Sequence, residues 1–136
     1  AIGAVVGLIE CGSSEGKLMH PGYQIEAVYI CRTPVDFRKS ITGLSAMVEH
    51  NFELDPFGQA LFVFVNRHRN RIKILYWHRN GFCLWYKRLE AEKFAWPKGG
   101  ESDVVSISSE QLLWLLEGYD IWSLKPHKML KYQCIT

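Results

Sequence analysis

The chain has 136 residues, 48% of them hydrophobic and 13% aromatic, with a net charge of +2, which suits one compact domain burying about two thirds of its surface. Its apolar start, AIGAVVGLIECG, is too short to span a bilayer and lacks the basic flank of a signal peptide, so a membrane association is not expected. The four cysteines, Cys11, Cys31, Cys83 and Cys134, form no C-x-x-C pair, which argues against a zinc site or a disulfide framework and for reduced thiols in a cytoplasmic protein.

The apolar start ends in the Gly/Ser-rich CGSSEGK before Met19. Residues 1–18 are therefore expected to be a non-native or disordered leader, and 19–136 a single domain. Ile25, Ala27, Tyr29 and Cys31 alternate with their neighbours at the period of a strand. Thr33, Pro34 and Asp36 then carry N-cap and first-turn signals, and Phe37, Ile41, Leu44, Val48 and Phe52 recur at helical spacing, so a helix is expected over about 34–51. ELDPFGQ breaks the chain. Leu61 to Val65 is a continuous apolar run suited to a buried strand, and Arg71 to His78 and Phe82 to Leu89 are two more, joined by Asn80-Gly81 as a tight turn. A short strand at DVVSI follows. Ser108 and Gln111 make a capping box that opens a helix over about 109–118, carrying Leu112, Leu115 and Leu116 and stopped near Gly118. The expected fold is α+β: an antiparallel β-sheet centred on the hairpin at about 71–89 and flanked by the two helices.

Charge is segregated along this order. Asn66 to Glu90 holds seven of the sixteen Lys and Arg and no acid before Glu90, whereas Glu90 to Asp120 holds seven carboxylates against Lys93 and Lys98. Such separation suggests a basic face that meets an anion, with nucleic acid the first candidate. With Asn80 and Gly81 as the loop, Arg79 pairs with Phe82, Trp77 with Leu84, Leu75 with Tyr86 and Lys73 with Arg88. One face then carries Arg71, Lys73, Arg79 and Arg88 beside Leu75, Trp77, Phe82, Leu84 and Tyr86, and the other is the better core. Cations and rings together suit phosphates and unpaired bases. The alternative is a sheet covered on both faces, its Arg and Lys stems reaching past the core to solvent.

The cluster Arg67, His68, Arg69 and Arg71 repels itself and adds little to folding, which favours an anionic partner. Arg38 and Lys39 fall in the first turn of the expected first helix, where the helix dipole disfavours cations unless Asp36 or a bound anion compensates. A second small basic tract, Lys125, His127, Lys128 and Lys131, lies near the C-terminus. The histidines show no metal-ligand spacing with Cys, and there is no G-x-S-x-G, P-loop or H-E-x-x-H. Neither catalysis, a metal nor a cofactor is expected.

The runs TPVDFRKSITGL, DPFGQALFVFVNRHRNRIKILYWHRNGFCLWYKRLE and LLWLLEGYDIWSLKPHK, covering about Gln24 to Tyr132, resemble the accessory protein of insertion sequences of the IS sixty-six family, the TnpB-type product of the second open reading frame. The resemblance implies a small non-catalytic protein that serves DNA transposition beside a separate, larger transposase. The expected partners are DNA at the insertion-sequence ends and that transposase, with self-association left open. The residues proposed for DNA are Arg67, Arg69, Arg71, Lys73, Arg79 and Arg88, with Arg38 and Lys39 as outliers, and Trp77 and Tyr86 for stacking on unpaired bases. The rival expectation is a protein adaptor that binds the transposase without touching DNA.

Overall fold

A computed structural model describes residues 25–123. The leader expected over 1–18 and the basic tract from Lys125 to Lys131 lie outside the described residues. Strands β1 (Ala27–Cys31), β2 (Ala60–Val65), β3 (Arg71–His78), β4 (Gly81–Arg88) and β5 (Val104–Ile107) form one sheet in the order β4-β3-β2-β1-β5. Helix α1 (Ile41–Ala46) runs on into a π-helical turn at Met47–Asn51, and α2 spans Ser109–Leu116.

The fold is α+β as expected, but the sheet is mixed rather than purely antiparallel. β1 and β2 run parallel, with Ala27 opposite Ala60 and Ile30 opposite Val63, while the other three pairings are antiparallel. The cause is the connection. A strand–helix–strand passage carries the chain back along the sheet before β2 begins, and that crossover joins parallel neighbours. β2, at the centre, has all six residues buried, which is why ALFVFV is continuously apolar rather than alternating.

Both faces of the sheet are covered. On one, Ile30, Leu61, Val63, Ile74 and Trp85 pack against Leu112, Leu115 and Leu116 of α2 and against Phe94 and Trp96. On the other, Phe62, Phe64 and Leu75 pack against Leu44 and Val48 of the first helix, with Phe37, Phe82 and Leu84 around them. Each fully buried Leu or Phe contributes about 1.5–3 kcal/mol. The hairpin face that carries Lys73 and Leu75 is therefore roofed by α1, and what remains open is its rim.

The first helix starts at Ile41, not near residue 34, with Ser40 as N-cap. The Asp36 carboxylate accepts the Arg38 backbone N–H at 2.9 Å and the Asp36 carbonyl accepts that of Lys39 at 3.0 Å. A side chain that offers the backbone this local alternative makes a turn where a helix would otherwise begin. α2 does carry its capping box, with Ser108 Oγ accepting from Gln111 N at 3.0 Å and Gln111 Oε1 from Ser108 N at 2.9 Å. It ends at Leu116, two residues short of the expected 118, and the chain turns at Gly118 (φ +102°).

The hairpin register differs from the expected one by two residues: His78 faces Gly81, Trp77 faces Phe82, Lys73 faces Tyr86 and Arg71 faces Arg88. The loop is Arg79-Asn80, with Arg79 at φ +59° and Asn80 N–H donating to the His78 carbonyl at 2.6 Å. Because side chains alternate with a period of two, the face assignments survive while every cross-strand pair changes. Gly81 is not in the left-handed region, and a Cβ there meets nothing within 4 Å, so Gly81→Val is expected to leave stability within about 0.5 kcal/mol. Arg79→Gly should instead add about 0.5–1 kcal/mol, because relief of left-handed backbone strain outweighs the entropy of a new glycine. A melting temperature at or below the parent's would place the turn elsewhere.

Candidate nucleic-acid interface

The link between β2 and β3, Asn66 to Asn70, is built around one buried amide. Asn66, only 8% exposed, accepts on Oδ1 from the backbone N–H groups of Asn70 and Arg71, both at 3.0 Å, and donates from Nδ2 to Asn70 Oδ1 at 2.8 Å. Its carbonyl also accepts from Arg69 N at 3.0 Å, and Arg69 sits at φ +61°. A rigid frame thus holds Arg67 and His68 out into solvent, with Arg69 partly so.

Two neighbouring segments close on this turn. Val35 N–H donates to the Val65 carbonyl at 2.9 Å, which brings the Asp36–Lys39 turn beside it. Arg38, Asp36, Phe37, Asn66, Arg67 and His68 line one hollow of about 580 Å³. On the other side, Leu89 N–H donates to Asn70 O at 2.8 Å and Phe94 N–H to Arg69 O at 2.7 Å, so the chain leaving β4 hooks back onto the turn. A second hollow of about 450 Å³ there is lined by Arg69, Lys93, Lys98, Trp96, Asp120 and Trp122. Cations remote in sequence meet around one turn.

The expected site residues separate into groups. Arg67, Arg69 and Arg38 belong to this rim. Arg38 is held by Asp36 through hydrogen bonds of 2.6–3.1 Å, and the guanidinium pulls the Asp36 carboxyl down to about 2. Arg71 and Arg88 adjoin the rim as directly opposed residues, a like-charge pairing that destabilises a sheet. Arg88 has Glu90 as its ion-pair partner at 3.1 Å, and Arg71 Nε is buried with no acceptor. Costs of this kind without a folding benefit collect at functional sites.

Lys73 points elsewhere. Its ammonium donates to the carbonyls of Phe37 at 2.9 Å and Lys39 at 3.0 Å and lies 4.8 Å from the Phe37 ring centroid, while burial lowers its pKa. It ties the Asp36–Lys39 turn to the sheet. Lys39 itself is exposed. Arg79 sits just beyond the opposite end of β3, whose span from Arg71 to His78 is about 23 Å at strand rise, and is not brought together with the rest. Trp77 is held edge-on to Phe57 and Phe82, with centroids 4.9 and 5.0 Å away, and Tyr86 is half-buried opposite Lys73. Lys93, Lys98 and Trp122 were not expected at the site. In sequence they are two cations in an acidic stretch and a ring beyond the second helix, and only the hook back onto Asn70 and Arg69 unites them.

Among the described residues no group of three or more His, Cys, Asp or Glu could hold a metal ion, and no helix is long and apolar enough to cross a membrane. The described thiols are Cys31, buried and pushed up to about 11 by desolvation, and Cys83, half-buried and also raised.

No solved structure matches the chain. It is similar to two proteins of Sinorhizobium fredii, both described as uncharacterized. The protein y4hO is 34% identical over 102 residues, covering 75% of this chain and 88% of that protein. The protein y4jC is 32% identical over 104 residues, covering 76% and 87%. The family of IS66 Orf2-like proteins matches residues 26–126, which include both helices, the whole sheet and the basic rim, and the chain belongs to that family.

Proposed function

We propose that this protein is a non-catalytic accessory factor of insertion-sequence transposition that grips DNA phosphates with the rim around the Asn66–Asn70 turn. Family membership supports the transposition role. One observation carries the DNA reading: Arg38, remote in sequence, is brought beside Arg67 and Arg69 at a turn that a buried amide holds rigid. Rigid presentation matters, because ordering a flexible Arg loop on binding would consume much of the gain. Phosphate contacts fix position without reading bases, so the affinity is largely independent of sequence.

The salt dependence of binding tests this. With roughly three to five contacts, log affinity for terminal-repeat duplex should fall with log salt at a slope near −3 to −4.5. Asp36→Asn should act in the opposite direction to an arginine deletion: it frees Arg38 and removes a carboxylate from the phosphate path, so affinity should rise about fivefold. A shallow parental slope, or weaker binding by Asp36→Asn, would count against the rim.

A second reading has its own support. Trp114 and Tyr119 are 42% and 62% exposed, on and just beyond α2, with Glu110 and Glu117 on the same helix end regions. Exposed aromatics among carboxylates suit a basic protein surface, and the separate transposase is the partner this reading favours. Glu110→Lys with Glu117→Lys should weaken transposase binding, mainly through association rate, and leave DNA binding in place. Equal transposase affinity for the double variant and the parent would remove this interface.

A further inference from the structure

We infer that the hollow on the α2 side of the turn receives one unpaired nucleotide, its phosphate on Arg69, Lys93 and Lys98 and its base against Trp122. The inference rests on the DNA-binding reading above and adds a strand preference to it. Duplex phosphates need cations only, whereas a ring fixed beside cations is the arrangement that holds a splayed-out base. The ring is fixed: Trp122 Nε1 donates to the Ala95 carbonyl at 2.9 Å, and Phe94 and Trp96 lie buried beside it.

The charge is also available. Among the described residues Asp120 is the one carboxylate lining the hollow, and its Oδ1 already accepts the backbone N–H groups of Trp122 at 3.1 Å and Ser123 at 3.3 Å. Neither Lys93 nor Lys98 forms an ion pair among the described residues, and both are exposed. A volume of about 450 Å³ lies within the range of small-ligand pockets, about 300–1,000 Å³. Trp77, the ring expected to stack, is packed between Phe57 and Phe82, and Phe37 in the other hollow already lies against the Lys73 ammonium, whereas Trp122 is half-buried beside Arg69, Lys93 and Lys98.

Fluorescence anisotropy with a labelled hairpin duplex, blunt or carrying a three-nucleotide dT overhang, tests the assignment. The overhang should raise the parent's affinity about tenfold. Lys93→Ala with Lys98→Ala, at exposed positions that leave the core intact, should remove most of that preference and flatten the overhang's salt slope by about 1.4. Trp122→Leu should abolish the preference with the slope unchanged, and duplex binding through Arg38 and Arg67 should persist in both variants. Equal parental affinity for the two DNAs would overturn the nucleotide site and leave the rim standing, and so would a preference that survives undiminished in either folded variant. Failure to bind either DNA would end both readings.

Discussion

Exchanging Arg38 and Arg67 for Ala and Arg69 for Gly should flatten the dependence of log affinity on log salt by about 2.7 units and weaken duplex binding by about two orders of magnitude near 0.15 M salt. Each side chain that leaves a phosphate returns about 0.9 of a condensed counterion. The loss should be the same for every DNA sequence, since the proposed contacts are to phosphates, which carry no sequence information. Glycine at position 69 is chosen because its φ of +61° suits glycine without strain, so the melting temperature should hold or rise. Removing Arg79 should leave the slope as it is, because that residue stands at the far end of β3. A folded triple variant with the parental slope would end the DNA reading of the rim, and the acidic surface around α2 would become the better account of the protein's work.

Much of the fold was legible because its strands are short, strongly patterned and punctuated. Arg71–His78 matches its expected bounds, and the Ser108–Gln111 box marks the true start of α2. Two of three errors arise where local signals compete, and the third lies in the topology. Asn-Gly is a strong turn signal, yet the loop falls one residue earlier, at Arg79-Asn80, because the strand register is decided by packing along the whole hairpin, with Leu75 opposite Leu84 under α1. Asp36 looks like part of a helix cap but closes its own turn with Arg38. The parallel pairing of β1 with β2 was implicit in the strand–helix–strand order, although no residue states it.

The site was legible in part. Density of charge marked Arg67, Arg69 and Arg71 as candidates, since local repulsion is visible in sequence. Availability of charge was not visible. Lys73 alternates onto the basic face yet spends its ammonium on the Phe37 and Lys39 carbonyls, and that depends on how a loop more than thirty residues away folds back. Lys93 and Lys98 join through backbone hydrogen bonds from Leu89 and Phe94 to Asn70 and Arg69, contacts that carry no side-chain signature at all.

Asn66→Ala should be the most damaging single change outside the apolar core. It removes the acceptor of two backbone N–H groups, those of Asn70 and Arg71, together with a side-chain bond to Asn70. At a position 8% exposed, water replaces those partners poorly, and each orphaned donor costs about 1–3 kcal/mol. A loss of about 2–4 kcal/mol follows, or a fall in melting temperature of roughly 10–25 °C for a domain of this size. Asn70→Ala deletes only the side-chain bond and should cost about 1 kcal/mol. The two variants also separate stability from presentation. Below its lowered melting temperature, Asn66→Ala keeps all its arginines but lets Arg67 and Arg69 wander, so affinity for DNA should fall while the salt slope stays near the parental value, because the contacts still form once the turn is ordered by binding. A variant that melts with the parent would show that the amide does not hold the turn, and one that binds DNA with unchanged affinity would show that rigid presentation of the arginines is not what makes the rim bind.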